Sequence, residues 1–115
     1  MDFMATFLDL AGITYPQEFQ GRRPVAMEGR SLVPIFRGEN REPHPVLAWN
    51  CSRGRAIRMG DWKLVKTKEG QNLNCELYNL KEDGGETLNL ATGDPDRVRA
   101  MSAAYDAWKV RVGAQ

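Results

Sequence analysis

The chain has 115 residues, 42% hydrophobic and 27% charged, which is close to average usage for a globular domain and predicts one domain over residues 1–115. Sixteen Lys and Arg against fifteen Asp and Glu leave a net charge of +1, so no global field favours nucleic acid or an anionic membrane. No stretch approaches the roughly 18–20 apolar residues of a membrane span, and no basic, apolar leader opens the sequence.

In chain order, Phe3, Met4, Phe7, Leu8 and Ala11 recur at helical spacing, with Asp2 placed to cap the helix and Gly12 to end it. A helix this apolar must lie against something larger than itself. Thr14 to Gly29 reads as loop, punctuated by Pro16, Gly21 and Pro24. Ser31 can cap a brief helical segment through Leu32, Val33, Ile35 and Phe36, with Pro34 tolerated in the first turn and Gly38 at the end. The pattern then turns to β: Val46–Trp49, Arg55–Met59, Trp62–Lys66 and Glu76–Leu80. Gly60-Asp61 fits a two-residue II′ turn joining the second and third strands, and Glu69-Gly70-Gln71-Asn72 a looser turn before the fourth. From Asp94 a helix returns, capped by Asp94, with Pro95 in its first position and Gly113 at its end. Val98, Met101, Tyr105, Trp108 and Val112 form its apolar stripe. The fold expected is α+β: a small antiparallel sheet of about four strands packed by a C-terminal helix, with a short N-terminal helix. Trp62, Leu64, Tyr105 and Trp108 are core candidates.

Charge is unevenly spread: nine basic against four acidic residues from Gln20 to Lys63, three basic against eight acidic from Glu69 to Asp106. An anionic ligand near the middle and solvated charge on two faces both fit this pattern. Cys51 and Cys75 allow one disulfide and no framework.

Four stretches, in this order, resemble the C-terminal subdomain of the arylsulfatase-type, formylglycine-dependent sulfatases. Asp2 to Ile13 is similar to the family's Asp-x-x-Pro-Thr helix ending in Ala-Gly, with Ala5 where Pro is usual. Gly29-Arg30-Ser31-Leu32-Val33-Pro34-Ile35 resembles its Gly-x-Ser-Leu-x-Pro-Leu segment. Arg55 to Val65 resembles its Ala-x-Arg-x-Gly-x-Trp-Lys hairpin. Glu76-Leu77-Tyr78-Asn79-Leu80 with Glu86, Asn89 and Leu90 is similar to its Glu-Leu-Tyr-Asp-Leu, Glu-x-x-Asn-Leu ending. Asn50 stands where an acidic residue often follows the Trp.

The resemblance implies a C-terminal piece of a sulfuric ester hydrolase that completes the fold, and the rim of the substrate pocket, without being catalytic alone. The implied partners are the N-terminal catalytic domain and a sulfated small molecule or glycan, with no nucleic acid and no membrane. A typical bacterial parent would be periplasmic or secreted. Exposure of Phe3, Phe7, Leu8 and Leu10 would make an isolated piece self-associate. The competing class is a free-standing α+β binding or interaction module.

Family members use calcium and a formylglycine made within Cys/Ser-x-Pro-x-Arg, and neither cofactor is expected in this chain. Cys51-Ser52-Arg53-Gly54-Arg55 lacks the Pro of that motif, and Asp94 with Asp96 reads as a helix cap and first-turn acid rather than a calcium site. The single histidine, His44, excludes a multi-histidine metal site and is expected to be an exposed loop residue. No catalytic or metal residue is therefore assigned. The substrate-contact candidates are His44, Trp49, Arg53 and Arg55, a cation-rich stretch with an aromatic in which Arg can grip an oxyanion through two parallel hydrogen bonds. Strand alternation puts Arg55 on the face of Ile57 and Met59, expected to look inward, and Arg58 on that of Ala56. Solvated surface arginines are the alternative.

Overall fold

The computed structural model describes residues 1–52, 54–69 and 72–113. The chain divides into two compact units, Met1–His44 and Pro45–Gln115.

The first unit contains helix α1 (Asp2–Ala11), an isolated bridge between Phe19 and Arg22, and the single-turn helix α2 (Val33–Phe36). Gly12 closes α1 in the left-handed conformation, as its lack of a Cβ permits. Asp2, however, does not cap the helix: Met1 holds that position without a side-chain bond, and Asp2 is the first helical residue. Its carboxylate is drawn away by stronger donors. Arg41 Nη1 lies 2.7 Å from it, the Arg30 backbone N–H 3.1 Å, and His44 Nε2 2.8 Å. Thr6, one turn on, donates its hydroxyl to the Asp2 carbonyl and accepts from the Leu32 N–H at 3.0 Å. Asp2 and Thr6 thus tie the start of α1 to the backbone of Arg30 to Leu32. Gly29 is required beside them, since a Cβ there would sit 2.3 Å from the Met1 carbonyl oxygen. Leu32, not Ser31, holds the N-cap of α2, and Ser31 just before it accepts from the Val33 N–H at 3.1 Å. Polar bonds dominate this unit, while Phe3, Phe7 and Leu10 of α1 are exposed and Leu8 is half-buried.

The second unit is a four-stranded antiparallel meander, β1 (Leu47–Cys51), β2 (Gly54–Met59), β3 (Trp62–Glu69) and β4 (Asn72–Asn79), followed by helix α3 (Pro95–Val112). The four strands and two flanking helices are those expected from the sequence. Gly60 takes a positive φ of 58° and Met59 pairs with Trp62, so the Gly60-Asp61 turn sets the β2–β3 register. β3 and β4 run further than their apolar residues indicate, pairing out to Glu69 and Asn72. A backbone ladder needs no apolar side chains, so Thr67, Lys68, Leu73 and Asn74 join it. Gly70 and Gln71 of the expected looser turn lie outside the described residues.

One register row, Ala48, Ile57, Leu64 and Leu77, crosses all four strands on one face, and Ile57, Leu64 and Leu77 are at most 2% exposed. Met101 and Tyr105 of α3 close over them, with Val98 and Trp108 partly buried alongside. The Asp94 side chain caps α3 by accepting from the Arg97 N–H, and Gly113 ends it. Arg97 also stacks 4.0 Å over the Trp62 ring, so Trp62 is a half-buried neighbour of the core rather than its centre. Met59, expected inward, is partly exposed at the strand end.

The outer edge of β4 is covered by side-chain chemistry. Asn89 Oδ1 accepts from the Leu77 N–H at 3.1 Å, and Leu90 N–H donates to the Leu77 carbonyl at 2.8 Å. Glu86 pairs with Lys63 at 2.6 Å. Among the described residues, no helix is long and apolar enough to cross a membrane.

Candidate functional site

Strand alternation and the register place two of the four expected contact residues, Trp49 and Arg55, on opposite faces of the sheet. His44 belongs to the first unit, its side chain 9% exposed and its ring held against both Asp2 oxygens at 2.8 and 3.0 Å. It is a partly buried partner of Asp2, not an exposed loop residue. Burial would raise the Asp2 carboxyl, but the Arg41 guanidinium, the Arg30 N–H and His44 outweigh it and hold the pKa at about 2. Trp49, on β1, is half exposed and pairs with Ala56, which puts it on the sheet face away from α3. Arg55, on β2, pairs with Asn50 and lies on the α3 face. Arg53 lies outside the described residues.

Arg55 lines a cation-rich hollow of the second unit. Its guanidinium carbon lies 5.6 Å from the Tyr105 ring centroid, and the Tyr105 hydroxyl donates to Asn50 Oδ1 at 3.0 Å. Burial pushes the Tyr105 phenol above its ordinary value, while the charge of Arg55 pulls it back. Lys66, the register partner of Arg55 on β3, donates to Ser102 Oγ of α3 at 2.8 Å. Lys68 follows on the same face. Asn50, Cys51, Arg55, Lys66, Lys68 and Leu73 line a hollow of about 260 Å³ at this end of the sheet.

Lys66 and Lys68 are not among the contact residues expected from the sequence. The signal was present: a two-residue turn at Gly60-Asp61 fixes Arg55 opposite Lys66, and alternation then adds Lys68.

Cys51 and Gly54 form the last pair of the β1–β2 ladder, and the Cys51 thiol donates to the Gly54 carbonyl at 3.0 Å. Cys75 is also a free thiol. The two lie on the first and last strands of the sheet, about 14 Å apart at ordinary strand spacing and beyond the reach of a disulfide. Among the described residues no group of three His, Cys, Asp or Glu side chains is placed to hold a metal. The donor set among the described residues does not fit calcium.

No protein-family model matches the chain. Curated proteins do. It is 32% identical over 118 residues to an uncharacterized sulfatase of Schizosaccharomyces pombe, covering 98% of this chain and 21% of that protein. It is 35% identical over 100 residues to the Delta 4,5-hexuronate-2-O-sulfatase of Bacteroides thetaiotaomicron, covering 79% of this chain and 19% of that protein. A solved 2-O GAG sulfatase superposes over 98% of the chain and 25% of its own, with a TM-score of 0.71 and 31% identity.

The chain belongs to the sulfatases. It spans about a fifth of the length of the curated relatives it matches, as a partial sulfatase does and as the four motif stretches lead one to expect. Sulfatases in general use calcium and formylglycine. What the sulfatase motifs do in this segment is now visible: Asp2 and Thr6 hold the backbone of the Gly29–Ile35 motif, Gly60 turns the hairpin, and Asn89 covers the edge of β4.

Proposed function

We propose that this chain is the C-terminal subdomain of a sulfuric ester hydrolase, residues 1–115 acting as one domain that completes the enzyme and is inactive alone. The observation that carries the reading is the match to sulfatases at 31–35% identity over 79–98% of the chain but only about a fifth of each relative. An N-terminal catalytic part is the partner it requires. That part supplies the formylglycine and the calcium. Exposed Phe3, Phe7 and Leu10 support an interface on α1, and in the isolated chain the same surface drives self-association.

The substrate class is a sulfated glycan bearing uronic acid, by analogy with the hexuronate-2-O-sulfatase and the 2-O GAG sulfatase. In this reading Arg53 and Arg55 supply contacts to the sugar, Trp49 on the opposite face of the sheet does not share them, and His44 orders its loop through Asp2. The test is a graft: the chain replaces the matching segment of the Bacteroides thetaiotaomicron hexuronate sulfatase. Turnover above that of the enzyme with the segment deleted is expected, together with no turnover of an aryl sulfate by the chain alone. Calcium-dependent hydrolysis by the isolated chain contradicts the reading.

A further inference from the structure

Arg55, Lys66 and Lys68 bring three positive charges to one hollow, and none makes an ion pair among the described residues. Lys63 and Arg97 of the same unit, by contrast, pair with the carboxylates of Glu86 and Asp94. Arg55 and Lys66 are held by neutral groups instead. The Tyr105 ring supports Arg55, and Ser102 fixes Lys66 Nζ. Asp106 of α3 lies beside Arg55 at the inner end of the row without pairing with it. Both supports come from α3, so the helix that covers the core also sets the spacing of the charges. Arranged this way, Arg55 and Lys66 meet an incoming anion with little loss of side-chain freedom and with no ion pair to break, although Asp106 lies nearby. The hollow, about 260 Å³, is slightly below the ~300–1,000 Å³ of drug-sized ligand sites, which is room for one acidic sugar.

We propose that this cleft binds an oxyanion of a glycan, a sulfate or a carboxylate, with Arg55 as the bidentate clamp and Lys66 and Lys68 as point charges beside it. The choice of a glycan rests on the sulfatase reading above, whereas the anion site rests on the charges alone.

The test is a titration of the ¹⁵N-labelled chain followed by NMR. The probes are a heparin-derived tetrasaccharide, its desulfated counterpart and an oligothymidylate of equal charge. Saturable shifts at the amides of Arg55, Lys66 and Lys68 are expected with the tetrasaccharide. Lys66→Ala with Lys68→Ala should weaken binding about tenfold or more, the scale of a lost charge-assisted contact. Retained binding of the desulfated probe assigns the site to carboxylate, and its loss assigns it to sulfate. If the double variant loses its fold, Lys68→Glu, at an exposed position, gives the same readout. No shifts, shifts confined to other residues, an unchanged affinity in the variants or equal binding of the oligothymidylate overturns the proposal. None of those outcomes bears on the graft, which reads the sulfatase assignment independently.

Discussion

In Met1–His44 the most enclosed side chain is Thr6, at 3% exposure, and in Pro45–Gln115 it is Leu77, at 0%. The contrast reflects two ways of ordering a chain. Around Thr6, side chains of one helix bond to the backbone of a loop some 26 residues away, and apolar residues such as Phe3 and Phe7 remain outside. Around Leu77, four strands and a helix bury a single apolar row, and the polar groups serve the edges. A polar clasp depends on the charge state of its members and on a few bonds of about 1 kcal/mol each. An apolar row depends on volume. The two regions should therefore fail under different insults.

The largest effect is expected from Leu77→Ala. Truncating a fully enclosed leucine between Leu64 and α3 should cost about 2–5 kcal/mol in a urea melt of the second unit's tryptophan signal. A loss of less than about 1 kcal/mol would show that the row repacks freely and would remove this side of the contrast.

A smaller effect is expected from acid in the first unit. The Asp2 carboxyl titrates at about 2 when folded against an ordinary 3.8, so its contribution is complete above the unfolded value and drains away as pH falls through the folded one. The difference corresponds to about 2 kcal/mol. Comparing wild type with Asp2→Ala across pH 6 to 2 should therefore show a stability gap that narrows below about pH 4. A gap constant with pH would mean that Arg41, Arg30 and His44 gain nothing from the carboxylate charge.

Much of the second unit was legible in the sequence because its signals are local. Gly60-Asp61 sets one hairpin register, Asp94-Pro95 starts a helix, and the spacing of Val98, Met101, Tyr105 and Trp108 names the face that covers the sheet. The ends of β3 and β4 were not legible, since paired backbone carries polar residues such as Lys68 and Asn74 as readily as apolar ones. The first unit was less legible for a related reason. Asp2 and His44 are 42 residues apart, and a carboxylate at a helix start is a cap by local rules until distant donors claim it. The candidate site was read only in part. Alternation put Arg55 on its true face, but its partners Lys66 and Lys68 required the register to be carried across the turn. Trp49 and Arg55, on adjacent strands, face opposite sides of the sheet because the register pairs Trp49 with Ala56 and Arg55 with Asn50.

The sulfatase motifs of this chain act as structural bonds between distant segments. Amide hydrogen exchange at residue resolution tests it most directly. The Arg30 N–H, bonded to Asp2, should lose protection in Asp2→Ala, and the Leu32 N–H, bonded to Thr6, should lose it in Thr6→Val. The Leu77 N–H, bonded to Asn89, should keep its protection in both variants. Arg30 and Leu32 amides that exchange as fast in wild type as in the variants would contradict it.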